Sequence, residues 1–218
     1  MKLDDELLKM FTNTFWGYGS FNHLFWFIGM EEGGGNNFQE IERRLTAWNK
    51  CQSNLVDLVH FHQEVFAGND KELGFFSSPM KRLQKTWKGL IRVFLFSRGA
   101  SSISVDQIKQ FQFANLGRMN GSYQNGVTLI ELFPLPSPGI QEWKYKNWTT
   151  LPFLKNRGLY KKDMKDKRIS LLNEFIVTHS PEKVVFYGFV YKKFWEKIAG
   201  PFIEKVENCD AYFAKRGK

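Results

Sequence analysis

Cysteine, proline and long apolar runs are all scarce in this 218-residue sequence. Cys51 and Cys209 are too few and too far apart to form a disulfide framework, which favours a reducing compartment. The longest apolar runs, such as residues 24–30, are too short to cross a bilayer. Because the first residues are acidic, we expect no signal peptide and no membrane partner, and we predict a cytoplasmic protein.

Positive charge is concentrated towards the C-terminal end. Residues 1–139 hold 14 basic and 13 acidic residues, whereas residues 140–218 hold 17 and 9, and the net charge is +9. Such an excess favours a polyanionic partner such as nucleic acid. The alternative, which composition leaves open, is that lysine-rich stretches such as residues 161–168 are solvated surface. Aromatic residues make up 17% of the chain, and they fit a phenylalanine-rich core better than a base-stacking surface.

Hydrophobic periodicity predicts strands followed by helices. The predicted strands are residues 24–28, 127–133 and 183–188, with a short piece near Ala211 to Ala214. The predicted helices are residues 3–15, 38–48, 53–66, 80–97, a segment beginning at Ser104, 169–179 and 190–199. Apolar strands that alternate with helices are typical of a parallel α/β sheet.

Each of the three main strands ends in a loop with unusual chemistry. The loops are Met30–Gly33, Pro134–Pro138 and Gly188–Tyr191. Because ligands of parallel sheets bind where loops leave the carboxyl ends of strands, we predict a pocket at these tips.

Three acids are the candidate chemical groups of that pocket. Glu31 and Glu32 follow the first strand, and one of them would face the pocket, where a carboxylate can orient water or stabilise positive charge. The alternative is that both are exposed loop acids near the start of the next helix. Glu131 interrupts an apolar strand, which indicates a function, a salt bridge with a lysine or arginine, or a side chain at an exposed strand tip.

Histidines and glycines give weaker signals. His60 and His62 lie two positions apart in a predicted helix, so they do not face one direction, and surface or core positions are favoured over a metal site. We predict no metal site and no organic cofactor. Gly33 to Gly35 permit a close approach of backbone to ligand, but they match no phosphate-loop motif.

Three segments, in order, resemble motifs of the uracil-DNA glycosylase superfamily. The first motif is "FWFIGMEEGGG", an apolar strand that ends in glycine and continues into a loop with the water-orienting residue. The second, "NGVTLIELFPLP", is similar to the strand whose asparagine reads the base. The third, "PEKVVFYGFVYKKFW", is similar to the strand, glycine and helix that follow.

The resemblance implies a fold for the whole chain. The expected architecture is a three-layer α/β/α sandwich with a central, mainly parallel four-stranded sheet. Extra helices would be inserted between the first and second strands. Residues 1–218 would form a single domain, with the helical insertion at about residues 50–120.

The resemblance also implies site residues. Glu31 occupies the catalytic position in two versions of the first motif, Met30 occupies it in the third version, and Glu131 occupies the base-reading position. Phe38 is a candidate stacking aromatic. The other expected substrate-binding residues are Gly29, Glu32, Gly33 and Gly188. Backbone N–H groups of residues 33–35 and basic side chains of the C-terminal third would hold phosphate.

The sequence departs from the motifs at three places. Glu32 replaces the expected proline, Glu131 replaces the base-reading amide, and the late His-Pro-Ser motif is not found. An ionised Glu131 accepts hydrogen bonds but donates none. We therefore expect uracil to be disfavoured unless Glu131 is protonated, and we expect Glu131→Gln to shift preference towards uracil.

The predicted function is cleavage of the N-glycosidic bond of a damaged or deaminated base in DNA, with the base extruded into the pocket. Two alternatives remain open. One is a non-catalytic nucleic-acid-binding protein of the same fold, and the other is an α/β enzyme that acts on a small nucleotide-like substrate. A protein–protein module with a basic face is a more distant possibility.

Overall fold

The architecture comes from a computed structural model. It describes residues 1–122, 124–139 and 141–200, together with the short pieces 204–205 and 212–213. Within these residues, no helix is long and apolar enough to cross a membrane.

The described residues form eight α-helices and seven short strands. The strands are β1 (Gly17–Tyr18), β2 (Phe25–Gly29), β3 (Leu55–Val56), β4 (Val127–Glu131), β5 (Lys183–Phe186), β6 (Glu204–Lys205) and β7 (Tyr212–Phe213). The helices are α1 (Asp5–Thr14), α2 (Phe38–Asn49), α3 (Leu58–Val65), α4 (Asp70–Leu73), α5 (Lys85–Ser97), α6 (Val105–Ala114), α7 (Arg157–His179) and α8 (Lys192–Ala199).

The central sheet is mixed but mostly parallel, with strand order β3–β1–β4–β2–β5. The pairs β1/β3, β2/β4 and β2/β5 are parallel, and β1/β4 is antiparallel. Gly29 at the end of β2 is in register with Glu131 at the end of β4. The predicted α/β class is therefore confirmed, and the two predicted loops emerge side by side.

The sheet has five strands, so the prediction of four was wrong. The predicted strand near Ala211 to Ala214 is β7, which pairs with β6 in a separate two-stranded sheet; Ala211 and Ala214 lie outside the described residues. The strands of the central sheet that were missed, β1 and β3, have two residues each, too short for an alternating pattern, and β6 was missed as well. Gly17 in β1 also has low strand propensity. Glycine is needed there, because a Cβ would lie 2.2 Å from the Leu129 carbonyl oxygen.

Several helices begin at residues other than those predicted, for local reasons. The predicted helix 53–66 divides into β3 and α3, because the Asp57 side chain caps the helix by accepting from the N–H groups of Val59 and His60. The predicted helix 80–97 begins only at Lys85. The predicted helix 169–179 begins earlier, at Arg157. Its first half was missed because the buried residues lie four positions apart and charged residues fill the positions between them. These buried residues are Tyr160, Met164, Arg168 and Leu172.

Aromatic side chains fill the core on both sides of β2. Phe25 and Trp26 leave the strand on opposite faces because consecutive strand residues alternate. The Phe25 ring lies 5.2 Å from Phe94 of α5, and the Trp26 ring lies 6.1 Å from His179 of α7. At these positions the aromatic residues therefore fill the core, as expected from the sequence.

Arg168 joins α7 to the end of β4. It is fully buried and donates to the carbonyl oxygens of Glu131 and Leu132, both at 2.8 Å, and of Phe15 at 2.9 Å. Its guanidinium lies 3.3 Å from the centre of the Trp16 ring. Burial lowers the pKa of Arg168 to about 9, so the side chain stays charged at neutral pH. Arg168 is the last residue of the lysine-rich segment 161–168, for which solvated surface was the alternative. Its side chain is buried and stabilises the end of β4.

We expect Arg168→Met to lower the free energy of unfolding by about 3 kcal/mol or more, because three buried carbonyl groups lose their donor. Lys162→Met, an exposed change on the same helix, should stay within about 0.5 kcal/mol of the wild type. Urea unfolding followed by circular dichroism measures both. Equal small effects would show that the carbonyl contacts do not stabilise the end of β4.

Candidate active site

A cavity of about 670 Å³ lies at the carboxyl ends of β2 and β4. Its wall contains the loop after β2, the last residue of β4 and parts of α2, α3 and α5. The acidic residues that line it are Glu31, Glu32, Glu40, Glu72 and Glu131. The aromatic residues that line it are Phe66, Phe75, Phe76, Trp87 and Tyr187. The lining is thus rich in acidic and aromatic side chains and also holds the basic residues Arg43, Arg44 and His62. It lies at the place predicted from the strand ends.

Glu32 is the centre of a buried hydrogen-bond network. The Tyr18 hydroxyl donates to its Oε2 at 2.5 Å, and the Arg44 guanidinium donates to both oxygens at 3.0 and 3.2 Å. The His62 Nε2 lies 2.9 Å from Oε1. Burial by itself would raise the pKa of Glu32, but the charges of Arg44 and His62 outweigh it and hold that pKa well below its usual range.

His62 is held at both ring nitrogens. Its Nδ1 lies 2.8 Å from the Leu58 carbonyl oxygen. Its Nε2 lies against the carboxylate of Glu32. The Phe76 ring stacks on the imidazole at 4.4 Å. His62 is therefore a core histidine, as favoured from the sequence, and His60 is exposed.

Glu40 closes the glycine loop onto α2. Its carboxylate accepts from the backbone N–H groups of Gly35 at 2.8 Å and Asn36 at 3.0 Å, and from Arg44 Nε at 3.2 Å. The Gly35 N–H is therefore already bonded to Glu40, and the role of residues 33–35 in holding phosphate stays a prediction. Gly33 and Gly34 of this loop line the cavity.

Glu31 is held at one oxygen only. Its Oε1 forms an ion pair with Arg157 at the start of α7. Arg157 also donates to Ser137 Oγ at 2.8 Å and to the Gly139 carbonyl oxygen at 2.7 Å, which fixes the guanidinium. The other oxygen of Glu31, Oε2, is buried and has no hydrogen-bond partner among the described residues.

Glu131 is also held at one oxygen. The Tyr187 hydroxyl donates to Oε1 at 3.2 Å, and Oε2 is buried with no hydrogen-bond partner in the described part of the chain. Burial, together with the negative charge of Glu32, raises the pKa of Glu131 to about 8. The salt bridge that the sequence left open as an alternative is not among the ion pairs of the described residues, and burial favours the protonated form of Glu131.

Gly29 makes the Tyr187 contact possible. A Cβ at Gly29 would lie 2.3 Å from the Tyr187 hydroxyl oxygen, so any larger residue would displace the phenol ring from Glu131. Gly29 thus acts through Tyr187 and is not part of the cavity wall.

Of the other predicted site residues, one lines the cavity and three do not. Gly33 lines the cavity with Glu31, Glu32 and Glu131. Met30 and Phe38 are buried in the core, and Phe38 packs edge-on against Trp148, away from the cavity wall. Gly188 is exposed, and its carbonyl oxygen accepts from Trp195 Nε1 at 3.2 Å.

Sequence reasoning missed the partners of these acids. Arg44 carried a usable signal, because it lies three residues after Ile41 and four before Trp48, on the buried stripe of α2. Tyr18 lies in a two-residue strand, and Tyr187 follows a half-buried strand, so neither stood out.

Comparisons of the chain with protein-family models, with curated proteins and with solved structures find no match. Among the described residues, no group of three or more His, Cys, Asp or Glu side chains is placed to hold a metal ion.

We expect strong coupling between Glu32 and Arg44. Glu32→Gln and Arg44→Met should each lower the free energy of unfolding by about 3–5 kcal/mol, because each leaves a buried charge without its partner. The double variant should lose clearly less than the two effects added together. Urea unfolding of the four proteins gives the coupling energy.

The exposed pair Lys50 and Glu64, with side chains 62% and 46% accessible, is the matched control. Its cycle should give a coupling below about 1 kcal/mol. A similarly small value for Glu32 and Arg44 would contradict the importance of the buried network.

We expect Glu131 to make the protein less stable as pH rises. Between the ordinary pKa of 4.5 and about 8, the unfolded chain releases this proton and the folded protein keeps it. Stability should therefore fall through that range in the wild type and fall less in Glu131→Gln. Urea unfolding from pH 5 to 9 measures the difference, with the exposed change Glu42→Gln as control. Parallel curves for wild type and Glu131→Gln would contradict the raised pKa.

Proposed function

We propose that this protein hydrolyses the N-glycosidic bond of a base in DNA, and that the cavity receives the extruded base. The observation that supports the proposal is a pair of carboxyl groups in one cavity wall, Glu31 and Glu131. Each has one oxygen fixed by a neighbour and one buried oxygen without a partner among the described residues. The resemblance to the uracil-DNA glycosylase superfamily names these same two residues.

The two carboxyl groups suit different tasks in this reaction. Cleavage of a glycosidic bond develops positive charge on the sugar, which a nearby carboxylate stabilises. Glu31, fixed by Arg157, orients a water through its other oxygen and accepts the proton as the water attacks the sugar carbon. Glu131 contacts the base. Pairs of acids with different environments are typical of enzymes that need both a base and an acid.

Aromatic walls suit a flat, apolar ligand with polar edges. Phe66, Phe76 and Trp87 line the cavity together with Glu131. An extruded base gains stacking and apolar contact there, which offsets the cost of leaving the helix stack. Glu131 then offers a polar group to its edge.

The wider molecule fits a nucleic-acid partner through its charge. The first part of α7 carries the basic residues Arg157, Lys161, Lys162, Lys165, Lys167 and Arg168; of these, Lys162 and Lys167 are exposed, and Arg168 is buried. Phosphate contacts from such side chains would give salt-dependent affinity. The helix contacts on both faces of β2 are consistent with a three-layer arrangement of this fold.

A small nucleotide-like substrate is the second candidate, because the cavity volume favours it. Cavities of roughly 300–1,000 Å³ usually hold whole small molecules, and about 670 Å³ lies within that range. The same two acids would then act on a free nucleoside or nucleotide. Salt-dependent DNA binding separates the two candidates.

We expect wild-type protein to release a base from at least one member of an oligonucleotide panel. The panel contains uracil, hypoxanthine, xanthine, oxidised guanine and mismatches, in single and double strands. Glu31→Gln should lower the release rate about 100-fold or more, because glutamine cannot take the proton of the attacking water. The exposed control Glu42→Gln should leave the rate unchanged. Abasic sites are measured by alkaline cleavage of labelled strands.

Three outcomes would contradict the proposal. Release by Glu31→Gln at the wild-type rate would remove Glu31 from the mechanism. No release, with tight and salt-dependent DNA binding, would favour a non-catalytic binding protein. No release and no DNA binding, with thermal stabilisation by nucleosides, would favour the small-substrate candidate.

A further inference from the structure

We propose that Glu131 is the proton donor to the departing base, and that the base enters with a hydrogen-bond acceptor facing Glu131 Oε2. This inference rests on the proposed function and extends it from reading the base to catalysis. It gives Glu131 a role that a base-reading amide cannot perform, since an amide donates a hydrogen bond without transferring the proton.

The contacts of Glu131 determine which oxygen carries the proton. The Tyr187 hydroxyl donates to Oε1, so Oε1 acts as the acceptor oxygen of a carboxylic acid. Oε2 is then the oxygen that carries hydrogen, and it has no partner within the described residues. Because Glu131 lines the cavity and is only 6% exposed, a ligand atom at Oε2 meets this donor with little competition from water.

The surrounding charges favour the protonated acid. Glu32, in the loop after β2, is ionised and fully bonded, so a second negative charge nearby is disfavoured. Tyr187, after β5, and Arg168, on α7, oppose this effect. Burial and Glu32 prevail, and the pKa of Glu131 is raised to about 8. The carboxyl group therefore favours its protonated form at neutral pH, and its pKa is close enough to neutral pH for it to give up the proton.

The step balances with water as the only co-reactant. The bond between the sugar carbon and the base nitrogen breaks, and its electron pair leaves with the base. Glu131 Oε2 gives its proton to the acceptor atom of the base, which leaves neutral. Water bonds to the sugar carbon and gives a proton to Glu31. Glu131 ends as a carboxylate and Glu31 as an acid, and exchange with solvent restores both.

The substrate class follows from this chemistry. A base that forms a stable anion departs without a proton donor, whereas a base that forms an unstable anion needs one. Glu131 should therefore matter most for poor leaving groups that present a ring nitrogen or carbonyl oxygen. The expectation that Glu131→Gln shifts preference towards uracil assumed that an ionised Glu131 repels a uracil carbonyl. With a protonated Glu131 that repulsion is absent, so a shift would come instead from the loss of proton transfer, which favours bases that leave as stable anions.

Glu131→Gln separates binding from proton transfer. The glutamine carbonyl can accept from Tyr187 and its NH₂ can donate to the same base atom, so the contact is kept and the transferable proton is lost. We expect unchanged affinity for substrate DNA and a release rate about 100-fold lower or more, with the largest loss for the poorest leaving group. Single-turnover kinetics and fluorescence anisotropy measure the two quantities.

The protonation state has a readout that needs no activity. Carbon-13 NMR of protein labelled at glutamate carboxyl carbons, compared with Glu131→Gln, assigns the Glu131 signal. We expect this signal to titrate near pH 8, and the wild-type release rate to fall above the same pH. Tyr187→Phe removes a hydrogen bond that favours the ionised form, so it should move both titrations to higher pH.

The results distinguish the two levels of the account. A Glu131 signal that titrates near its ordinary pKa overturns the proton-donor role, whether or not the protein is active. Base release by wild type with an equal rate in Glu131→Gln overturns that role and leaves the proposed function intact. No base release by wild type from any substrate overturns both.

Discussion

The carboxylate of Glu32 is the contact on which the site depends. Its two oxygens join the first strand through Tyr18, the second helix through Arg44 and the third helix through His62. Taken together, these contacts fix the loop after β2, which has three consecutive glycines and little stiffness of its own. Glu40, through Gly35 and Asn36, and Arg157, through Glu31, hold the same loop at further points. Since all four donors are directed at Glu32, this acid stabilises the site and has no capacity left for a substrate.

The three acids at the strand ends illustrate how environment divides similar groups into different roles. Glu32 is saturated by cations and hydroxyl, Glu31 is paired at one oxygen with Arg157, and Glu131 has only a tyrosine. The negative charge of Glu32 also helps to keep Glu131 protonated, so the structural acid tunes the chemical one. Glu31 and Glu131 thus line the same cavity in different environments, which the proposed mechanism uses as a base and an acid.

Sequence patterns predicted the parts of the molecule that local rules determine. The β2 and β4 strands, the loop acids and Glu131 could be predicted because apolar runs with abrupt polar ends are visible without a structure. The two-residue strands β1 and β3 could not, since pairing with distant strands creates them. The pairing of Glu32 with Arg44 and His62 also depends on tertiary contacts, although a charged Arg44 on an apolar helix face was a signal. The positions of the Glu31 and Glu131 carboxyl groups, and the raised pKa of Glu131, depend on the surrounding side chains.

A crystal structure of the protein with DNA tests the central claim most directly, namely that the cavity receives a base between Glu31 and Glu131. The DNA would carry the base that binds most tightly on a 2′-fluorinated sugar, because fluorine disfavours positive charge on the sugar and slows cleavage. The account predicts the base inside the cavity, with an acceptor atom at about 3 Å from Glu131 Oε2. It also predicts the sugar carbon beside Glu31. A base that remains stacked in the DNA, or one bound elsewhere on the protein, would contradict the account.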